Sequence, residues 1–508
     1  MNKTYKIDKA AVLCAGVFCL VFSCVLFVLG WVKPVFSIPF SLLLLVASSC
    51  CCRNITKEWN ETYRYCVFSR SDALLLFLTL LILLVAIDLV GFLGHVPQAT
   101  DMAVRNAIYA ELQKSAWPIY SARGEYFIYY HAFWLPPALL SKFFSFNIGD
   151  TLLFGWIYIT LSIGILALFI KIRGRVLIFT LLFLLTGNLI ENLKFFPIIL
   201  EKMGESIPFA DAISQICSHL AVESHFRYLH TWGQLVYTFN HAVPLILYTS
   251  IILSGMVPAR YILFLSALVF PVSPLGVAPL IPVLLFIIFK KNGIIHTIIC
   301  WENWVGLLLT ITMVVYMYGQ HGGSSGMVML WQDFQYWPRV SGTHGAFVNV
   351  HVRMLRYVTV ASAIIFTVRF LIVPRLRNSV WYKAFVYLAI ILPIIWIGRW
   401  NNEFLFKGSV VLYMLLAWIL VTQWKHATNK RRLAIILVTI LSSFHIVSDV
   451  SRRHLYRYTW ETEAMQSNKR QEWGGTLNRP DIYSYSNFWG QNVLPGFFCD
   501  TPGKSIIK

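Results

Sequence analysis

The chain has 508 residues, 57% of them apolar and only 13% charged, where soluble domains carry about 25% charged residues. A mean hydropathy of +0.65 over this length excludes a soluble enzyme or binding domain and marks a polytopic membrane protein. The net charge of +19 lies in short segments between apolar runs, which is a topology signal and not the basic stripe of a nucleic-acid binder.

Lys3, Lys6 and Lys9 precede a first apolar run at about 10–31 and put the N-terminus in the cytoplasm. No small-residue cleavage site follows it, so it reads as a retained span and not a removed signal peptide. A second span at about 35–51 returns the chain to the cytoplasm, where Arg53, Lys57, Arg64 and Arg70 follow. Cys14, Cys19, Cys24, Cys50, Cys51 and Cys52 lie in or beside these spans and behave as small apolar residues; no CxxC pair implies zinc.

Span three, at about 73–94, contains Asp88, which is costly there unless it faces a partner or a polar cavity. The segment 95–149 then stays outside. Its second half, from Tyr126 to Phe146, is apolar enough to cross, but crossing would invert the charge bias of every later turn. It therefore reads as an interfacial or re-entrant helix, with Pro136-Pro137 as its break. Spans four (about 150–170) and five (about 176–192) flank the cytoplasmic Lys171-Ile-Arg-Gly-Arg175, and an external loop at 193–240 follows.

Spans six to eight, between about 241 and 290, are short or Pro-broken. Span nine leads to an external loop at 320–352, and spans ten to thirteen end near residue 449. The expected organisation is an N-terminal hairpin and cytoplasmic loop at 1–72, a transmembrane core at 73–449 and an external tail at 450–508. About thirteen spans put the N-terminus inside and the tail outside.

The suggestive polar clusters fall in the external segments. Thr100 is a plausible N-cap, and Asp101, Arg105 and Tyr109 share one helix face. An aspartate in a first turn is held ionised by the helix dipole, as a general base must be; the same spacing suits a capping residue with an Asp–Arg surface pair. Gln234 and His241, in His230-Thr231-Trp232-Gly233-Gln234…Asn240-His241, close the second external loop at a membrane mouth. They suit hydrogen bonding to a sugar or phosphate, or simple satisfaction of the water boundary. Arg399, Asn402, Glu403 and Lys407 lie between two spans, where Arg399 and Lys407, with Arg339, are placed for a lipid-linked phosphate or for pairing around Glu403.

Taken in order, these clusters resemble the GT-C type of integral membrane glycosyltransferase, the polytopic class that uses polyprenyl-phosphate sugars on the external face. The landmarks are Asp101…Arg105-Asn106-Ala107, Trp117-Pro118, Tyr129-Tyr130 and Leu135-Pro136-Pro137-Ala138-Leu139; then Thr231…Gln234-Leu235…His241-Ala242-Val243-Pro244 and Ser273-Pro274-Leu275-Gly276; then Asn402-Glu403-Phe404…Lys407-Gly408-Ser409. They span about two thirds of the chain. Glu403 stands where the family pattern has Asp, and Lys407 where it has Arg; a lysine cannot form the guanidinium fork to phosphate.

The resemblance implies an all-α, polytopic GT-C-like fold with external juxtamembrane helices. It implies transfer of a sugar from a polyprenyl-phosphate donor to a hydroxyl of an external glycan, lipid or protein, with inversion. Asp101 is then the general base; Arg399, Lys407, Arg339 and His241 hold the donor phosphate. Arg105, Asn106, Tyr109, Trp117, Gln234, Asn402 and Glu403 contact sugar or acceptor. No obligatory cofactor or metal is implied, although Glu111, Glu125 and Glu223 keep a divalent ion open. The expected location is a bacterial inner or plasma membrane with the site on the periplasmic face, and no nucleic-acid partner. A transporter or flippase of lipid-linked sugars is the alternative, and would place charge at mid-membrane; an inactive envelope scaffold is a third.

Overall fold

The structure, a computed structural model, describes residues 4–98, 102–120, 126–187, 228–290, 293–318, 328–331, 335–336, 346–347, 350–397, 402–459, 489–490 and 498–499. Most of the segments 193–240 and 320–352 and of the tail 450–508 lie outside these residues. The fold is all-α, with a few short strand pairs at its two ends.

Strand β1 (Thr4–Asp8) leads into α1 (Lys9–Trp31), whose start is fixed by the Asp8 carboxylate accepting the Ala10 N–H at 2.8 Å. Helix α2 (Pro34–Lys57) opens on a proline at its first position, where no intrahelical N–H is required. Strand β2 (Tyr65–Ser69) pairs antiparallel with β1, Thr4 opposite Ser69, so a β-pair closes the Lys9 end of the bundle. Arg64 bridges to Asp8 at 2.9 Å there, and its guanidinium holds the Asp8 carboxyl below the usual carboxylate range.

Helix α3 (Arg70–Val90) begins with a reciprocal capping box between Ser69 and Asp72, and ends at Gly91, whose φ of 102° only glycine adopts without strain. That stop resolves the expected cost of Asp88. The residue falls in the last turn of α3, at the helix mouth, where its carboxylate meets His95 Nδ1 at 2.8 Å. Helix α4 (Met102–Lys114) and strand β3 (Tyr126–Phe127) precede α5 (Leu135–Phe144). Ten residues make a helix of about 15 Å, half the hydrocarbon thickness, so α5 does not cross. Its far end exposes Phe143 and Phe144.

Helices α6 (Gly149–Ile172) and α7 (Val176–Leu185) are two arms separated by a turn at Arg173, which takes a positive φ of 48°. Helix α8 (Thr231–Tyr237) runs into α9 (Phe239–Ser254), and α10 (Ile262–Val269) is followed by broken turns from Pro274 to Leu280. Then come α11 (Ile281–Lys290), α12 (Trp301–Tyr318), strand β4 (Val328–Met329), α13 (Val350–Leu371) and α14 (Val380–Ile391). Strand β5 (Ile395–Trp396) pairs with β4, and α15 (Glu403–Gln423), α16 (Asn429–Thr459) and strand β6 (Trp489–Gly490) complete the order.

Five stretches are long and apolar enough to cross a membrane: Lys9–Trp31, Pro34–Lys57, Arg70–Val90, Phe146–Leu185 and Glu403–Gln423. Shorter apolar helices fill the space between them. Helix α15 is buried along nearly its whole length, and α1 packs against α2, α5, α6, α9 and α10. The outer helices α2 and α3 instead present exposed apolar rows, Leu42, Leu45 and Val46 on one and Leu74, Phe77, Leu81 and Val85 on the other. Such faces suit lipid, whose tails exact no cost for them.

Strand β1 and the pair Phe498–Cys499 sit at opposite ends of α1. The β1–β2 pair is at Lys9, while the Cys499 N–H donates to the Trp31 carbonyl at 2.9 Å. That bond satisfies one of the four carbonyls a helix leaves open at its C-terminus.

Candidate functional site

Near the Trp31 end, residues from four separate parts of the sequence converge on Tyr130. The Lys407 ammonium lies 4.9 Å from the centre of the Tyr130 ring, and the His241 ring packs edge-on to it at 5.3 Å. Lys407 is in the second turn of α15, its side chain only 6% exposed, with Glu403 one turn earlier at 3.2 Å. A lysine this buried needs that partner, because an unpaired ammonium would be too costly to remove from water. Burial also pushes the Tyr130 phenol above its ordinary value and keeps it neutral.

His241, in the first turn of α9, is 1% exposed. Its Nδ1 meets the Val272 carbonyl at 2.5 Å. A carbonyl can only accept, so Nδ1 carries the hydrogen and Nε2 is left a lone-pair acceptor. Nε2 is buried and has no hydrogen-bond partner among the described residues. The same is true of Asn240 Oδ1, Ser273 Oγ, Thr231 Oγ1 and Asn402 Nδ2. Buried polar atoms are paired in the large majority of cases; the unpaired condition recurs at other helices among the described residues, as at Ser37, Thr180 and Ser250. Asn240 Nδ2 donates to the Tyr130 carbonyl at 3.5 Å, and Ser273 follows Val272, the partner of His241. Arg105, on α4, acts electrostatically on His241 together with Lys407.

The supporting contacts explain the sequence pattern. Asn402 caps α15 by accepting the Leu405 N–H at 3.2 Å, which aims the first two turns and hence Glu403 and Lys407. Gln234 is fully buried; its amide donates to the carbonyls of Leu229 and Phe406, and its Oε1 accepts from Thr238 at 2.6 Å. Its amide therefore ties α8 to α15. On another face of α8, Trp232 Nε1 and Tyr237 OH both donate to the Asp449 carboxylate, at 2.9 and 3.0 Å.

Other expected residues lie apart from this cluster. Trp117 is fully buried against Trp31, with its indole donating to the Leu112 carbonyl at 2.9 Å. Tyr109 OH donates to the Gly149 carbonyl at 2.8 Å and joins α4 to α6. Asn106 donates to Gln98, which in turn donates to the Gly91 carbonyl. Those three residues hold the α4 segment in place. Asp101, Arg339 and Arg399 lie outside the described residues.

Tyr130, Asn240, Ser273 and Asp449 are the residues that sequence reasoning did not assign to a site. Tyr130, Asn240 and Ser273 stood inside quoted motifs, yet only their convergence gives them a role. Asp449 carried no signal, being one acidic residue near the end of an apolar run.

Among the described residues no three His, Cys, Asp or Glu side chains gather as a metal site. The cluster combines one buried cation, a histidine acceptor, amides and hydroxyls at a helix-bundle mouth. That set can hold an anion and hydroxyl groups together. Fold and site thus define an all-α protein with helices long and apolar enough to cross a membrane and a buried polar cluster around Tyr130. No family model, curated protein or solved structure matches the chain.

Proposed function

We propose that this chain is an integral membrane glycosyltransferase of the GT-C type. It moves a sugar from a polyprenyl-phosphate donor to a hydroxyl of an external glycan, lipid or protein, at the periplasmic face of a bacterial inner membrane. The observation that supports this reading is the meeting of Lys407 and His241 at the Tyr130 ring, with Arg105 acting electrostatically on His241. In sequence these residues occur in the three regions that resemble the family.

In this reading Lys407 and Arg105, with Arg399 and Arg339, neutralise the departing lipid phosphate. Asn240, Ser273, Asn402 and Gln234 line the path of the sugar. Asp101, immediately before α4 in sequence, deprotonates the acceptor hydroxyl. The same reading has the chain cross about thirteen times, an odd number that puts the N-terminus inside and the tail outside.

The test is transfer by purified full-length protein in liposomes supplied with polyprenyl-phosphate sugars. Asp101→Asn should abolish transfer while leaving donor binding intact. Lys407→Met should lower turnover by roughly a hundredfold, the usual cost of losing one charge-stabilising group; Lys407→Arg should retain most of it. Full transfer by folded Asp101→Asn would overturn the assignment. Movement of the intact donor across the bilayer without sugar transfer would establish the flippase reading instead.

A further inference from the structure

We propose that the C-terminal segment, through residues 489–490 and 498–499, is a built-in clasp that positions Tyr130 in the polar cluster. The proposal is independent of which reaction the cluster serves.

Two attachments, eight residues apart in sequence, act on the same short stretch of chain. Strand β6 pairs antiparallel with β3, Tyr126 opposite Gly490 and Phe127 opposite Trp489. Tyr130 is only three residues beyond Phe127. At the second attachment, Phe498 and Cys499 are each 2% exposed. The Cys499 N–H donates to the Trp31 carbonyl, and its own carbonyl accepts from Tyr120 OH, both at 2.9 Å. Phe498 also bridges to Val32 and packs its ring 5.9 Å from that of Tyr316.

Tyr316 is the connection between the two. Its hydroxyl donates to the Phe127 carbonyl at 2.8 Å and accepts the Tyr129 N–H at 3.3 Å. It thus fixes the backbone on either side of Ile128, directly before Tyr130. The stretch 126–131 has little helical or sheet structure of its own to set its path; β3 is two residues long. A two-residue strand has no stability without a partner. The path of the stretch is set by the Ile119 carbonyl, which accepts the Phe127 N–H at 3.0 Å, by Asn240 at the Tyr130 carbonyl, by β6 on one edge and by Tyr316, backed by Phe498, on the other. Releasing the tail removes the β6 pairing and the Phe498 ring behind Tyr316, and so loosens the stretch that carries the Tyr130 ring over Lys407.

The chain supplies its own reporters. Cys499 is 2% exposed with the tail docked, and Lys407 is 5% exposed with its ammonium 4.9 Å from the centre of the Tyr130 ring. The experiment labels detergent-purified full-length protein with a small maleimide and, separately, an amine-reactive acetylating reagent. Peptide mass spectrometry reads Cys499 and Lys407, with exposed Lys114 as the internal reference. In the unaltered chain both should be protected. Phe498→Asp puts a carboxylate against Tyr316 and should raise labelling of both sites together, by roughly tenfold or more. Phe498→Leu, which keeps an apolar plug, should restore protection of both.

Cys24, wholly buried in α1, must stay unlabelled as evidence that the bundle is intact. Should Phe498→Asp expose Cys24 as well, Tyr120→Phe carries the test, since it removes one hydroxyl only; it should raise both signals partway. Exposed Cys499 with Lys407 still protected would overturn the proposal, because the tail would then undock without moving Tyr130. Reactive Cys499 in the unaltered chain, or protected Cys499 in Phe498→Asp, would overturn it too.

Discussion

Histidines at the Trp31 end illustrate how much one residue's surroundings decide. His131 is fully buried, its ring 4.1 Å from that of Trp31 and close to Phe27, Phe127 and Tyr316, and neither nitrogen has a hydrogen-bond partner among the described residues. Burial pushes it down to about 3 from the usual value near 6.5. Between those two values the unfolded chain binds a proton that the folded chain does not, so stability rises with pH across the window and falls as pH drops through it. The slope contributed is about 1.4 kcal/mol per pH unit. Thermal unfolding in detergent should therefore weaken from pH 6.5 toward 4, and His131→Phe should flatten that dependence. An unchanged slope in the variant would show that other groups set it. The sequence singled out His241 through its motif and assigned no role to His131; in the fold the Val272 carbonyl gives His241 a partner that His131 lacks among the described residues. At the same scale the sequence made Lys407 and Gln234 legible through their motif, while Tyr130 was one aromatic among 24 tyrosines.

At the scale of elements, helix starts and stops follow local rules, although span three was expected to run to about residue 94 and Asn402 was expected at the sugar and not as a cap. Gly91 ends α3 and Asn402 starts α15, and each acts through its own backbone or its nearest N–H groups. The strand pairs were not readable. Asp8 and Tyr65, the facing ends of β1 and β2, are 57 positions apart, and such pairing depends on where α1 and α2 return the chain. The seven-residue α8 is too short to be stable alone, and it is held from two sides, by Gln234 to Phe406 and by Asp449 to Trp232 and Tyr237. Asp449→Ala should lower stability by on the order of 3 kcal/mol, as hydrogen bonds to a charged group are lost. Thermal unfolding beside Asp449→Asn, which keeps an acceptor oxygen, measures this; equal stability of the Ala variant and the unaltered chain would rule out the clamp.

For the whole molecule, opposite placement of β1 and of Phe498–Cys499 along α1 makes a topological prediction. A protease site and tag added before Met1 should be cut only in inverted vesicles, and one added after Lys508 only from outside intact spheroplasts. Cleavage of both from one side would contradict it. By itself the sequence determined membrane character, an all-α class and the approximate limits of the apolar helices, because hydropathy and charge bias act locally along the chain. It also displayed the residues of the three motifs in order. The central position of α1, the convergence around Tyr130 and the return of Phe498 and Cys499 to Trp31 were decided by tertiary structure alone. Each depends on contacts between segments hundreds of residues apart, and such contacts leave no periodicity or spacing for a single sequence to show.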